Sequence, residues 1–118
     1  MNQIIKVKFR KWNCIVALAY YNNDRKAISL YDEDDFEPIA TATVNMVNEP
    51  CEDDEVFIKN YSENEGMTDA LIDAEIIKKE STGFVRSGYV LIFKYKLTEK
   101  ILNLFEYLHQ KLEKNKHG

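Results

Sequence analysis

Residues 5–31 read IKVKFRKWNCIVALAYYNNDRKAISLY, and the architecture follows from how that run divides. Ile5, Val7 and Phe9 alternate with Lys6, Lys8 and Arg10, the period-two pattern of a strand with one face buried. Cys14 to Tyr21 is continuously apolar, which predicts a strand covered on both faces. Asn22-Asn23-Asp24 reads as a turn, because Asn and Asp tolerate left-handed backbone and bond their own main chain. Lys26 to Tyr31 follows as a third strand. Connections this short favour an antiparallel meander.

Outward from that run the pattern continues. The acidic turn Asp32 to Asp35 leads into Ile39 to Val47, where Ala40, Ala42, Val44 and Met46 fall on one face and Thr41, Thr43 and Asn45 on the other. A second acidic loop, Glu49 to Glu55, precedes a short strand at Val56 to Lys59. Residues 68–79 read as a helix with Thr68 as N-cap and Leu71, Ile72, Glu75 and Ile76 on one face. Ser81 to Gly88 reads as a connection, and Tyr89 to Leu97 as a strand with Leu91, Phe93, Tyr95 and Leu97 on one face. Thr98 opens a second helix over 98–114, where Ile101, Leu104, Phe105, Leu108 and Leu112 recur at helical spacing. The expected fold is therefore α+β in a single domain spanning 1–118: an antiparallel sheet of about six strands, a short helix and a long C-terminal helix packed on it.

Composition agrees with one core. The chain has 118 residues, 45% of them hydrophobic and 31% charged, enough for one domain and ordinary for a globular one. Cys14 and Cys51 are too few and too far apart for a secreted disulfide scaffold. Lys8, Arg10 and Lys11 before an apolar run mimic a leader, but that run is short and rich in strand formers, and the chain opens on Met1. No stretch approaches the roughly 18 apolar residues of a membrane span. The expectation is a soluble, cytoplasmic protein with two reduced thiols and no membrane partner.

Charge is unevenly spread. Residues 1–31 hold six Lys/Arg against one Asp, net +5, and residues 81–118 hold seven against three Glu, net +4. Between them, residues 32–80 hold three Lys against sixteen Asp/Glu, net −13. Such a segment attracts cationic surfaces and repels nucleic acid. Asp32, Glu33, Asp34, Asp35 and Glu37, with Glu52, Asp53, Asp54 and Glu55, are the candidate docking residues for a basic protein partner. A nucleic-acid-binding enzyme is the most specific such partner, because a carboxylate array fits a groove built for phosphates. The plainer alternative is a pair of solvated loops that keep strand edges apart.

Catalytic apparatus is not visible. His109 and His117 have no nucleophile beside them in sequence, so no triad is built. No Cys/His pairing suits zinc, and neither a phosphate-binding nor a dinucleotide fingerprint occurs. The acidic loops lack the glycine and alternating spacing of a helix–loop–helix calcium site. No cofactor and no enzymatic activity are expected. Lys6, Lys8, Arg10 and Lys11 interleave with Phe9 and Trp12 as in single-strand binders, but an amphipathic strand gives the same pattern and a pI near 5.2 argues against a large phosphate footprint. Gly83-Phe84-Val85-Arg86-Ser87-Gly88-Tyr89 offers a second candidate, an anion site built on Arg86, Ser87 and Gly88, with a tight turn or bulge as its alternative.

Several segments also stand in a familiar order. They are Tyr21-Asn22-Asn23, Ala27-Ile28-Ser29-Leu30, Glu37 through Asn45, Asp54-Glu55-Val56-Phe57-Ile58, then Thr82-Gly83 with Arg86-Ser87-Gly88-Tyr89. Over roughly residues 20–97 the chain resembles a family of small domains of unknown function carried on conjugative elements and phages of low-GC bacteria. It departs after Tyr89, where Val90-Leu91-Ile92-Phe93 replaces a Tyr-Pro element, and the long C-terminal helix looks like an addition. The resemblance implies no catalytic residues. It implies an accessory protein of a mobile element, a setting in which small acidic proteins often inhibit host defence nucleases. A monomer or weak homodimer, the latter through the C-terminal helix, completes the expectations.

Overall fold

A computed structural model describes residues 4–117; Met1 to Gln3 and Gly118 lie outside the described residues. The chain runs β1 (Lys6–Phe9), β2 (Trp12–Tyr20), β3 (Lys26–Asp32), β4 (Pro38–Thr41), β5 (Thr43–Val44), β6 (Glu55–Ile58), a 3-10 turn at Ser62–Asn64, α1 (Met67–Asp73), β7 (Ile77–Ser87), β8 (Val90–Leu97) and α2 (Glu99–His117). The class is α+β and the strands pair antiparallel, as read from the sequence. The single six-stranded sheet is corrected: there are two four-stranded sheets, ordered β1-β2-β3-β4 and β5-β6-β8-β7.

The division occurs inside one predicted strand. At Ala42 the backbone N–H donates to the Ile28 carbonyl of the first sheet, while the Ala42 carbonyl accepts the Lys59 N–H at the end of β6 (both 2.8 Å). The segment Pro38–Val44 is therefore an edge of both sheets, with fully buried Ala42 as the pivot. A small side chain is required where two sheets converge on one residue. One core serves both: Val7, Phe9, Ile28 and Leu30 from the first sheet meet Val56, Ile58, Ile77 and Leu97 from the second, with Leu71 of α1 and Ile101 and Phe105 of α2.

Strand β2 is covered on one face only, which corrects the two-face expectation. Cys14, Val16, Leu18 and Tyr20 pack on the core, whereas Ile15 and Ala17 are half-buried and Ala19 is exposed. The predicted helix over 68–79 is also corrected. It stops at Asp73, Glu75 takes φ +59, and the Ile76 and Glu75 N–H groups return to the Leu71 and Ile72 carbonyls (2.9 Å each). This double closure is the usual helix stop built on a left-handed residue, but with Glu where glycine is expected, so no sequence signal marked it. The predicted N-cap moves too: Gly66 occupies that position, and the Thr68 N–H is satisfied by Asn60 Oδ1 at 2.9 Å. Residues 77–87 are then released to form β7, absorbing the predicted connection Ser81 to Gly88 into a hairpin with β8. Thr98 joins the two halves, its hydroxyl donating to the Glu75 carbonyl at 2.7 Å and its N–H to the Ile76 carbonyl at 3.0 Å.

Candidate functional site

The two acidic loops stand at opposite ends of β3. Asp32 pairs in register with Cys14, whereas the Lys26 end meets Asp53 through a hydrogen bond from Lys26 Nζ to the Asp53 carbonyl at 2.6 Å. Seven strand residues separate them, roughly 20 Å at strand rise. The nine predicted docking residues therefore do not form one surface, and the two groups need separate accounts.

The first loop, Asp32 to Glu37, satisfies itself. Asp32 Oδ1 accepts the Asp34 N–H at 2.8 Å, Asp35 Oδ1 accepts the Glu37 N–H at 3.0 Å, and the Asp32 carbonyl accepts the Phe36 N–H at 3.0 Å. These local bonds fix the loop without burying its charge. Glu33 is half-buried and lies 3.4 Å from Lys6. Asp34, Asp35 and Glu37 are exposed, with no ion pair among the described residues. Among them Phe36 takes φ +60 and is 64% exposed. A bulky residue in that region is strained, and the strain is held here by hydrogen bonds on either side of it.

The second loop is tied down by cations from both sheets. Arg25 donates from Nη1 to the Met46 carbonyl and from Nη2 to the Glu49 carbonyl (2.6 Å each), and Lys94 Nζ reaches the Pro50 carbonyl at 3.1 Å. Glu55 is buried, 3.5 Å from Lys94, and its Oε1 accepts the Glu52 N–H at 3.0 Å. Burial by itself would raise the Glu55 carboxyl, but the Glu52 N–H, Thr82 and Lys94 outweigh it and hold it below the ordinary glutamate value. The hydrogen bond from Lys96, at 2.9 Å, likewise lowers Asp54. Glu52 and Asp53 of this group keep exposed carboxylates with no ion pair among the described residues, and Asp54, though paired with Lys96, is itself 38% exposed at its side chain.

Asp53 instead joins a groove that sequence reading missed. Tyr20, Asp24, Lys26, Asp53, Glu106, His109 and Leu112 line about 750 Å³ between α2 and the β2–β3 turn. Lys26 Nζ lies 5.6 Å above the Phe105 ring, and the Tyr20 hydroxyl donates to the Phe105 carbonyl at 2.9 Å. Burial first, then Glu106 and Asp24, pushes the Tyr20 phenol up. No local pattern marks this groove, because its carboxylates come from three separate stretches of chain.

The other candidates are placed plainly. Arg86 and Ser87 end strand β7 and Gly88 opens the turn to β8, all three exposed, with Gly88 at φ +60 as the tight turn requires. They line neither the groove between α2 and the β2–β3 turn nor the hollows beside Lys78 and Lys96 and beside Asn23 and Glu55. Among the described residues no group of three or more His, Cys, Asp or Glu is placed to hold a metal, and no helix is long and apolar enough to cross a membrane. Cys14 is buried and Cys51 partly so; burial, first of the causes, raises both thiols. The His109 and Tyr20 ring centroids stand 6.2 Å apart, and the side chain of His117 lies outside the described residues.

Three of the segments that carried the resemblance, Tyr21-Asn22-Asn23, Ala27-Ile28-Ser29-Leu30 and Glu37 through Asn45, meet at one structural junction. Tyr21 and Thr43 share a hydroxyl hydrogen bond of 2.8 Å, Thr43 Oγ1 accepts the Ile28 N–H, and Asn23 and Asn45 exchange amide bonds of 3.2 and 3.3 Å. Together with Arg25 they fasten the β2–β3 turn to the strand that crosses between sheets. Compared with family models, with curated proteins and with solved structures, the chain finds no match.

Proposed function

We propose that this protein is a non-enzymatic binding protein that docks a basic protein partner on its Asp32–Glu37 loop. The observation that carries the reading is Phe36, held exposed at φ +60 within the solvent-facing carboxylates Asp34, Asp35 and Glu37. An aromatic anchor ringed by charge is the arrangement of an interface hot spot: the ring supplies contact energy and the carboxylates steer the approach. Because the loop is already closed by its own hydrogen bonds, little ordering cost remains on binding. A protein whose groove is built for phosphates is the partner class that fits, and the resemblance to mobile-element accessory proteins supports an inhibitor of a host nucleic-acid-acting or defence protein.

The groove at the far end of β3 supports a second reading. Its Asp24, Asp53 and Glu106 surround an aromatic and apolar lining suited to a lysine or arginine side chain. A tagged pull-down from host lysate at low and high salt, read by mass spectrometry, separates the two. A partner recovered at low salt and lost in Phe36→Ala with Asp34→Lys, but kept in Asp53→Lys, supports the loop. Loss only in Asp53→Lys moves the contact to the groove. Absence of a specific partner under both conditions defeats both readings and directs attention to ligand screening at Arg86.

A further inference from the structure

Strand β7 is an open edge of the second sheet. The order β5-β6-β8-β7 leaves it paired with β8 on one side and with no described strand on the other. An antiparallel edge strand turns the N–H and C=O of every second residue away from its neighbour, a ready template for a further strand. Folded proteins blunt such edges with bulges and lysines, and the first half of β7 is blunted in that way. From Ile77 to Gly83 it advances six residues while β8 advances three, from Leu97 to Lys94, so the ladder slips twice. Lys78 and Lys79 stand exposed in that stretch. The second half has no such protection. Gly83 to Ser87 pairs residue for residue with Lys94 to Val90, contains neither Pro nor Lys, and holds the strand formers Phe84 and Val85.

That same half lacks a third strand. Strand β6 pairs with β8 as far as Lys94, so beyond it the hairpin is a two-stranded ribbon, which is marginal in water by itself. One face is anchored, with Ile92 only 2% exposed. On the other face Phe84 is 60% exposed and its ring lies 5.4 Å from that of Phe93. Arg86 follows Phe84 by two residues, and so shares that face, in register with Leu91.

We infer that the edge from Gly83 to Ser87 takes up an extended, acidic segment of a partner protein as an added strand of the second sheet. Two features select that occupant. Outward backbone groups in series select an extended chain, because only a strand satisfies them one after another. Charge selects its side chains. Strand β7 carries Lys78, Lys79 and Arg86 against Glu80, and none of the three cations is ion-paired among the described residues. From Ser81 to Thr98 the chain has no carboxylate at all. The complementary strand sets an apolar side chain beside Phe84 and a carboxylate two residues away, beside Arg86. A second copy aligned edge to edge brings the same cations together and is disfavoured. The inference stands apart from the docking of a basic partner at Asp32–Glu37, a loop of the first sheet.

Titration of the isotope-labelled full chain with a capped heptapeptide, in which glutamate and valine alternate with threonine, tests it by nuclear magnetic resonance. The expected result is saturable amide shifts at residues 83–87, cross-strand Overhauser contacts from the peptide to those residues, and a dissociation constant below about 1 mM. Lysine in place of glutamate should weaken binding at least about tenfold. Methylating alternate peptide nitrogens keeps every charge but removes the strand's donors, and should abolish the contacts. Arg86→Glu should weaken the acidic peptide roughly fivefold with an unchanged far-ultraviolet spectrum. Equal binding of the methylated peptide would reduce the site to a basic patch and overturn the inference, and equal binding of the lysine peptide would overturn its acidic occupant. Shifts confined to other residues, or none at about 5 mM peptide, would overturn it outright. Shifts at 83–87 that follow protein concentration without peptide would overturn it in favour of a second copy.

Discussion

Asp32–Glu37 carries five carboxylates in six residues and Glu49–Glu55 five in seven, yet the two loops use that charge in opposite ways. The first spends short side chains on its own backbone and leaves Asp34, Asp35 and Glu37 facing water. The second sits where Arg25, Lys26, Lys94 and Lys96 converge, so several of its carbonyls and two of its carboxylates are paired within the molecule, Glu55 buried and Asp54 at the surface. A run of like charge is thus no measure of available charge. What matters is whether the fold brings cations to it, and strands do so from residues far away in sequence.

If that contrast is right, Glu55→Ala should have the largest effect of any acidic substitution here. It strands Lys94 and the Glu52 N–H at a buried site, at a cost of roughly 3 kcal/mol, or about a 10–15 °C fall in Tm by thermal unfolding. Asp34→Ala should stay within about 0.5 kcal/mol. Equal losses in the two would erase the distinction between the loops. Arg25→Ala comes next, at about 2 kcal/mol for two lost charge-assisted bonds, with faster amide exchange confined to residues 46–53. Asp32→Ala should cost about 1 kcal/mol, the worth of a local side-chain cap.

The smallest effect is in pH. Glu55 and Asp54 are held below their ordinary values, so the unfolded chain takes up these protons at a higher pH than the folded one. Their contribution to stability is complete above about pH 5 and is lost as pH falls through the ordinary carboxylate range toward their folded values. A series of unfolding midpoints between about pH 6 and 3 should therefore slope downward, and Glu55→Gln should flatten part of the slope. An unchanged slope would mean that the pairing with Lys94 carries no net stabilisation.

Much of the fold was legible. The alternation of Ile5, Val7 and Phe9 and the helical spacing of Ile101, Leu104 and Phe105 each appear as read, because burial of one face leaves a period in the sequence. The end of α1 was not legible, since Glu75 adopts a left-handed conformation that sequence assigns to glycine. Without that stop, β7 is hidden inside an apparent helix and loop. Of the candidate sites, the Asp32–Glu37 loop was readable because its bonds are local, whereas the groove of Tyr20, Asp24, Asp53 and Glu106 was not, because its lining is assembled from distant segments. Arg86 reads from sequence as part of a turn, a bulge or an anion site, and it lies near the end of β7, paired in register with Leu91.

By itself the sequence determined the α+β class, the antiparallel strands of the first half, the C-terminal helix and the −13 segment. All of these are set by periodicity and composition, which act over a few residues. Tertiary structure decided that one strand would cross between two sheets at Ala42, that two carboxylates of one acidic loop would be paired with lysines while the other loop stays exposed, and that Phe84, Leu91 and Phe93 of the β7–β8 hairpin would face outward. The reason is common to all three: each depends on which distant residues arrive at a given backbone position, and a linear pattern carries no record of that arrival.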